Sequence, residues 1–147
     1  MYTMIVEQTK KYPKRMRYDP ENNTFTETKC DSRGYLRGET FPYGWLKESG
    51  TPPGEHLDVF LVSEDDFELG DEVPIRVIGV FMRNDGDNKL IAVKWDCPEK
   101  DLDDLPEYER KKVQGLYEGK YPGDTWFGAA EAEAEINRFY SEGRNKL

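Results

Sequence analysis

The feature that most constrains the fold of this chain is a series of five short segments rich in β-branched and aromatic residues. These segments are MYTMIVEQ, TFTETK, LDVFLV, VPIRVIGVF and KLIAVKW. Turn-forming residues separate them, which is the pattern of strands joined by short connections. LDVFLV and VIGVF are almost continuously apolar, so we expect central strands that are covered on both faces. The pattern predicts five or six antiparallel strands curled into a small barrel.

The last third of the chain changes to a helical period. From Leu105 to Tyr117 the apolar residues recur at helical spacing, and Asp104 followed by Pro106 predicts the start of a first helix. From Gly128 the run AAEAEAEINRFYSEG consists mainly of strong helix formers. Its apolar stripe, which we expect on the barrel with the acidic side in water, comprises Ala129, Ala132, Ile136, Phe139 and Tyr140. The predicted fold class is α+β and mainly β, with two C-terminal helices.

The length of the chain indicates its domain organisation. It has 147 residues, which is close to the size of one domain with one sizeable core. Proline and glycine are scattered as turn residues, and neither a fixed-period repeat nor a linker-like segment interrupts the pattern. We therefore expect residues 1–147 to form a single domain.

The charge and the cysteines exclude some classes of partner. The formal net charge of -9 opposes binding to a nucleic-acid backbone, and no apolar segment approaches the length that spans a bilayer. Cys30 and Cys97 lack CxxC spacing and follow no secretory signal, which indicates two free thiols in a reducing cytosol. We expect a cytoplasmic protein that binds neither nucleic acid nor membrane.

One basic cluster stands out against this acidic background. It is KKYPKRMR, from Lys10 to Arg17. A local concentration of positive charge in an acidic chain suits a small anionic ligand better than a nucleic-acid duplex. A solvated basic face is the alternative interpretation of the same segment.

Acidic residues gather in two loops that adjoin predicted strands. They are Glu55 and Asp58 after the PPG turn, and Asp85 and Asp87 on either side of Gly86. Oxygen ligands from several loops suit Mg²⁺ or Mn²⁺, and a neighbouring cation such as Lys89 suits the phosphate that the ion would carry. This combination favours phosphoryl chemistry with a metal-activated water.

Each of these residues also has a plainer interpretation. NDGDN is typical of an ordinary hairpin turn. His56, the only histidine, has no evident Ser or Cys nucleophile beside it, which favours a surface or hydrogen-bonded role over that of a catalytic base. Because side chains alternate along a strand, His56 and Asp58 should lie on one face and Glu55 on the other. The carboxylates of Glu55 and Asp58 can converge only if the turn before the strand is irregular.

Several of these segments occur in a characteristic order. PYGW, LDVFLV and VIGVF follow one another along the chain, and GDNKLIAV and TWFGAAEAEAEI come after them. In this order and spacing, over nearly its whole length, the chain resembles the soluble Mg²⁺-dependent inorganic pyrophosphatases of family I. The resemblance implies a five- to six-stranded OB-like β-barrel with two C-terminal helices, hydrolysis of pyrophosphate to two phosphates, and a homo-oligomer.

The resemblance also implies a set of site residues. The metal ligands would be Glu7, Glu55, Asp58, Asp85 and Asp87, with Mg²⁺ as the cofactor and Mn²⁺ as a substitute. The phosphate-binding residues would be Arg15, Lys29, Lys89 and Tyr117. The catalytic residues would be Asp58 and Asp85, which position the hydrolytic water, and Tyr43, which orients the phosphate.

Several positions depart from the family pattern. Pro53 stands where the metal motif has its first aspartate, Asn84 where the hairpin has its first aspartate, and Glu118 where a phosphate-binding lysine is expected. Loss of a bridging carboxylate should weaken the metal pair that holds the water more than it weakens binding of a phosphate that brings its own Mg²⁺. At Arg15 and Lys29 the two basic residue types are exchanged, which preserves charge but changes donor geometry.

These observations leave three alternatives for the function. The first is an inorganic diphosphatase-type hydrolase that acts on pyrophosphate or a related phosphoanhydride. The second is a non-catalytic protein that binds phosphate or a nucleotide in the same pocket. A subunit that works only within an assembly is a third alternative.

Overall fold

The computed structural model of the chain describes residues 1–36, 38–116 and 125–145. Its strands are β1 (Tyr2–Gln8), β2 (Lys14–Asp19), β3 (Thr24–Asp31), β4 (Tyr43–Leu46), β5 (Asp58–Leu61), β6 (Glu72–Met82), β7 (Lys89–Lys94) and β8 (Thr125–Gly128). Its helices are α1 (Arg33–Leu36), α2 (Glu107–Gly115) and α3 (Ala129–Asn145), and short 3₁₀ turns lie at Lys47–Ser49 and Leu102–Asp104. The two longer helices lie towards the C-terminus, as the sequence predicts.

Within the described residues, five strands close into a mixed barrel. Their order is β1-β4-β5-β7-β6, and β1 pairs with β6 as well as with β4, so the sheet returns to its first strand. β8 extends the sheet beside β6, and β2 and β3 form a separate hairpin. The prediction of an OB-like barrel with C-terminal helices is confirmed.

One pairing differs from the antiparallel expectation, because β5 and β7 run parallel. β6 and β7 form an antiparallel hairpin, and this hairpin places β7 beside β5 while β6 lies on the far side. Around the barrel, β5 is antiparallel to β4, β4 to β1, β1 to β6 and β6 to β7, and these four reversals leave β7 running in the same direction as β5. The apolar pattern could not reveal this, because a strand that is buried on both faces has the same pattern in either direction.

Strands β2, β4 and β8 are absent from the predicted set. β2 has the sequence KRMRYD, in which four of the six residues are charged, and β4 and β8 have only four residues each. Pairing across the sheet forms them: β2 pairs with β3, β4 lies between β1 and β5, and β8 pairs with β6. These strands depend on partners that are remote in sequence, which local propensity does not encode.

The apolar core lies on both faces of the central strands. Val59 and Leu61 belong to a cluster that draws residues from every barrel strand and from α3, so this cluster fills the interior. Phe60 and Val62 alternate with them and pack in a second cluster on the opposite face. The second cluster is covered by Leu102, Leu105 and Val113. The prediction that LDVFLV is covered on both faces is confirmed.

The start of α2 corrects the predicted capping. α2 begins at Glu107, and no side chain caps it. Asp104 belongs instead to the preceding 3₁₀ turn, where its carboxylate accepts hydrogen bonds from the backbone N–H groups of Lys100 and Asp101. Asp104 therefore caps the 3₁₀ turn at Leu102–Asp104 and not α2, which begins three residues later at Glu107.

α3 follows the predicted stripe with one correction. Ala132 and Ile136 are buried against the barrel, as predicted, but Glu135 is buried as well instead of facing water. The helix begins at Ala129, whose N–H donates to Asp101 Oδ1 at 2.7 Å, so a remote side chain caps it. Within the described residues, no helix is long and apolar enough to cross a membrane.

Gly44 permits the close approach of β1 to β4. A Cβ at this position would lie 1.8 Å from the carbonyl oxygen of Ile5 and 2.9 Å from its carbonyl carbon. Because these are backbone atoms, we expect Gly44→Ala to lower the free energy of unfolding by about 3 kcal/mol, measured by urea denaturation. Gly115→Ala is the matched control, since a Cβ there meets no atom of the described residues within 4 Å. This control should stabilise α2 by about 0.5–1 kcal/mol, and equal stability of the two variants would contradict the prediction.

Candidate active site

The site begins at the register between β5 and β7. In this parallel pair Asp58 lies opposite Lys89, and each is the first residue of its strand. The Lys89 ammonium donates to Asp58 Oδ2 at 2.5 Å and to Asp87 Oδ1 at 2.9 Å. The side chain of Lys89 is only 7% exposed. The register therefore places a nearly buried ammonium group between two carboxylates.

β4 brings Tyr43 to the same point. In the antiparallel pair of β4 and β5, Trp45 lies opposite Asp58, and Tyr43 is two residues from Trp45 on the same side of its strand. The Tyr43 hydroxyl hydrogen-bonds the Asp58 carboxylate. The Lys89 Nζ lies 5.8 Å from the centre of the Tyr43 ring, which is a cation–π contact. Tyr43 thus contacts both members of the ion pair.

His56 holds the other oxygen of Asp58. Its Nε2 lies 3.1 Å from Asp58 Oδ1, and its Nδ1 lies 2.7 Å from the carbonyl oxygen of Gly54. Both partners are acceptors, which favours a ring that carries a proton on each nitrogen. The hydrogen bond to Asp58 is the main cause that raises the pKa of His56, and burial opposes it. The structure therefore supports the hydrogen-bonded interpretation of His56.

Asp58 stays ionised although it is largely buried. Burial raises the pKa of this carboxyl, but the His56 hydrogen bond, the Lys89 ammonium and the Tyr43 hydroxyl outweigh burial and lower the pKa to about 2. At neutral pH Asp58 is therefore a hydrogen-bond acceptor that does not readily take up a proton. It can orient a water or a ligand donor, but it is a weak general base.

Glu7 lies beside Asp58 at an irregularity in β1. The β1–β4 register shifts at this residue, and a bulge of this kind re-aims the side chain of the extra residue. Burial, together with the negative charge of Asp58, raises the pKa of Glu7. Three nearby cations oppose this shift, namely Arg15, His56 and Lys89. Glu7 and Asp58 therefore share one electrostatic environment, and Glu7 is the one of the two that protonates more easily.

The hairpin between β6 and β7 carries two more of the predicted acidic residues. Asp85 Oδ2 lies 2.7 Å from Arg83 Nη2, and Asp87 Oδ2 lies 3.6 Å from Arg83 Nη1. Asp85 Oδ1 accepts a hydrogen bond from the backbone N–H of Asp87 at 3.0 Å. Gly86 has a φ of 82°, so a residue without a Cβ suits this turn. The segment is thus an ordinary hairpin turn whose carboxylates contact basic side chains.

Two buried polar residues connect this hairpin to α3. Asn88 Oδ1 accepts a hydrogen bond from the Arg83 N–H at 2.7 Å, and Asn88 Nδ2 donates to Glu135 Oε1 at 3.1 Å. Glu135 also pairs with Arg138. Sequence reasoning missed Arg83, Asn88 and Glu135. A glutamate next to Ile136, on the apolar side of α3, was the one available signal, and its partner lies 47 residues away.

The predicted phosphate ligands Arg15 and Lys29 lie on the hairpin of β2 and β3. Both residues are exposed. Arg15 is close enough for its charge to act on the Glu7 carboxyl, so it lies beside the site. Lys29 lies on the same hairpin as Arg15. The phosphate-binding role of Lys29 is still a prediction. Tyr117 and Glu118 lie outside the described residues.

The predicted metal ligands suit a divalent ion by their chemistry but not by their arrangement. Within the described ranges, no three or more His, Cys, Asp or Glu side chains are placed so as to hold a metal ion. Glu55 and Pro53 are exposed in the turn before β5. Asp58 and Asp87 contact cationic side chains. Three of the predicted metal ligands, Asp58, Asp85 and Asp87, are therefore already paired with cations of the protein.

Most of the chain matches a known protein family. The family model described as inorganic pyrophosphatase matches residues 4–142. The chain belongs to the inorganic pyrophosphatase family. The inorganic pyrophosphatase of Streptomyces coelicolor is 31% identical over 113 residues, which cover 67% of this chain and 69% of the relative. That of Malacoplasma penetrans is 32% identical over 125 residues, which cover 78% of this chain and 66% of the relative.

Solved structures of inorganic pyrophosphatases show the same fold. That from Neisseria gonorrhoeae has a TM-score of 0.69 at 24% identity and covers 94% of this chain and 90% of its own. That from Thermus thermophilus has a TM-score of 0.69 at 22% identity, with the same coverage of 94% and 90%. The resemblance inferred from the motifs is thus confirmed. The prediction of a diphosphatase-type hydrolase is confirmed with it.

The raised pKa of Glu7 predicts that this residue destabilises the inorganic pyrophosphatase fold at neutral pH. A raised folded-state pKa contributes stability below the unfolded value near 4.3 and loses that contribution as the pH rises through the folded value. Glu7→Gln should therefore raise the urea midpoint at pH 7 in EDTA, and the gain should shrink towards pH 4. Glu27→Gln, on an exposed part of β3, is the control. A lower midpoint for Glu7→Gln at pH 7 would show that its charge is favourable.

The contact between Asn88 and Glu135 predicts a stabilising role for a residue outside the motifs. Asn88→Ala removes one partner from the Arg83 N–H and one from the Glu135 carboxylate, both at a buried position. We expect the free energy of unfolding to fall by about 1–3 kcal/mol in urea denaturation. Asn137→Ala, on the exposed side of α3, should change it by less than about 0.5 kcal/mol. Equal changes in the free energy of unfolding for the two variants would contradict a stabilising role that is specific to Asn88.

Proposed function

We propose that the chain hydrolyses inorganic pyrophosphate to two phosphates. The observation that carries this proposal is the Lys89 ammonium held between Asp58 and Asp87. An ammonium that is positioned before the ligand arrives is a preorganised phosphate-binding charge. The names of the curated relatives, all inorganic pyrophosphatases among those matched, support the same substrate.

Cationic and phenolic side chains would bind and orient the phosphate groups. An ammonium group has three N–H donors, and Lys89 uses two of them on carboxylates, so one can donate to a phosphate oxygen. Arg15, from β2, would add a guanidinium whose paired donors suit two phosphate oxygens. Lys29 would add a further charge, and Tyr117 would donate its hydroxyl hydrogen. Tyr43 would orient the phosphate by turning its single hydroxyl hydrogen from Asp58 to a phosphate oxygen.

Acidic side chains would position the attacking water. Asp58 is ionised at neutral pH, so it accepts a hydrogen bond from that water and fixes its orientation. Glu7, whose pKa burial raises, is the better proton acceptor of the two. Asp85 would hold the water from the hairpin side. The water oxygen bonds to one phosphorus, the bridging P–O bond breaks, and two phosphates are released.

We further propose that Mg²⁺ enters the site as a complex with pyrophosphate. Substrate phosphates commonly supply much of the coordination of Mg²⁺, which suits a chain whose carboxylates are already paired. A bound divalent ion neutralises phosphate charge and lowers the pKa of a coordinated water. The side chains that would complete the coordination are Glu7, Glu55, Asp58, Asp85 and Asp87. Mn²⁺, which accepts the same oxygen ligands, would serve as a substitute.

The remaining parts of the proposal concern substrate range and location. The same attack of water on phosphorus would also hydrolyse related phosphoanhydrides. The free thiols Cys30 and Cys97 and the net charge of -9 suit a cytoplasmic protein that acts on a small anion. A homo-oligomer is proposed from family membership.

The role of Lys89 is tested by phosphate release from pyrophosphate, with Mg²⁺ and then with Mn²⁺. Lys89→Met removes the positioned donor, and we expect kcat/KM to fall by about 100-fold or more. Lys94→Met is the control, because Lys94 lies on the same strand but pairs with Asp65 away from the site. It should change kcat/KM by less than about twofold. Circular dichroism confirms that both variants are folded.

Two results would contradict the proposal in different ways. If the wild type binds pyrophosphate in calorimetry but releases no phosphate with either metal, the chain is a non-catalytic phosphate-binding protein. If phosphate is released and Lys89→Met retains the wild-type rate, hydrolysis takes place without this ammonium group.

A further inference from the structure

Arg83 is the residue around which the hairpin of β6 and β7 folds. Its backbone N–H donates to Asn88 Oδ1 at 2.7 Å, and its carbonyl oxygen accepts the Gly86 N–H at 3.0 Å. Its side chain, 15% exposed, contacts the carboxylates of Asp85 at 2.7 Å and Asp87 at 3.6 Å. The guanidinium therefore lies at the two hairpin carboxylates that are candidate metal ligands.

Cations and carboxylates alternate across the whole site. The order of contacts is His56, Asp58, Lys89, Asp87, Arg83 and Asp85. Asp58 lies between His56 and Lys89, and Asp87 lies between Lys89 and Arg83. Each of these two carboxylates thus has a protein cation at both of its oxygens. A divalent ion that approaches the hairpin meets oxygens that the protein has already neutralised.

We propose that Arg83 competes with a divalent ion for Asp85 and Asp87 and so sets the divalent-ion affinity of this site. The inference rests on the metal-dependent part of the proposed function. Asp85 Oδ2 and Asp87 Oδ2 are the two oxygens that face Arg83. A divalent ion that binds through these two oxygens must therefore displace the guanidinium. Arg83 acts through these aspartates, which makes it a residue that tunes metal affinity.

The charge of the guanidinium makes this competition independent of pH. Arginine keeps its charge at every pH at which the protein is folded, and its planar fork matches carboxylate oxygens. Asp85 and Asp87 are 55% and 58% exposed, so each ion pair is weakened by solvent and displacement by a divalent ion is feasible. The result is a site whose acidic hairpin is occupied by a weak internal competitor.

The experiment measures Mn²⁺ binding by the loss of the free-ion signal in electron paramagnetic resonance, without pyrophosphate. Arg83→Met removes the competitor and leaves Asp85 and Asp87 in place. We expect Mn²⁺ to bind at least about tenfold more tightly than to the wild type, because a positive charge next to the ligands is removed. Arg83→Gln, which keeps a hydrogen-bond donor in the turn, should show a gain in the same direction.

Two control variants separate competition from a general change in charge. Lys111→Met removes one positive charge at a side chain that is 73% exposed on α2. It should leave the Mn²⁺ affinity within about twofold of the wild type. Adding Asp85→Asn to Arg83→Met should abolish most of the gain, because the released ligand is removed. A gain that persists in this double variant would overturn the proposal.

The readouts distinguish failure of this inference from failure of the proposed function. Unchanged or weaker Mn²⁺ binding by folded Arg83→Met and Arg83→Gln overturns the competition, even if the wild type hydrolyses pyrophosphate. A gain in Mn²⁺ affinity without phosphate release by the wild type supports the competition and rejects hydrolysis. Arg83→Gln supplies the same test if Arg83→Met does not fold.

Discussion

The parallel pairing of β5 with β7 is the constraint on which the rest of the site depends. It sets Asp58 opposite Lys89 at the start of both strands. A shift of one residue would turn the side chains of one strand to the other face and separate the ion pair. Because apolar residues cover both faces of these strands, core packing opposes such a shift. The polar site therefore takes its geometry from the apolar barrel beneath it.

Glu7 and Asp58, the two partly buried carboxyl groups of the site, respond to the same surroundings in opposite ways. Asp58 receives donors on both oxygens, and these contacts overcome burial and lower its pKa. Glu7 lies next to that fixed negative charge, so burial and repulsion raise its pKa. Environments that push two pKa values apart are the usual basis of separate roles for two acids. Here Asp58 is suited to hold a donor and Glu7 to exchange a proton.

The hairpin of β6 and β7 joins the acidic residues of the site to basic side chains and to the C-terminal helix. Arg83 and Lys89 bind the hairpin aspartates, and Asn88 joins the turn to Glu135 of α3. The C-terminal helix therefore supports the site as well as the core. Pro53, which replaces an expected aspartate, lies exposed in the turn before β5. Asp58, Asp85 and Asp87 are each paired with a protein cation.

The sequence by itself determined the class of fold and the family. Apolar runs predicted the buried central strands, helix formers predicted α3, and the order of motifs identified the family and pointed to Asp58, Lys89 and Tyr43. These features could be predicted because local periodicity and motif spacing each depend on residues that are neighbours in the sequence. Only the tertiary structure decided that β5 and β7 are parallel, that charged β2 is a strand, and that Arg83 and Glu135 belong to the site. Those features depend on contacts between segments distant in sequence, which no local pattern specifies.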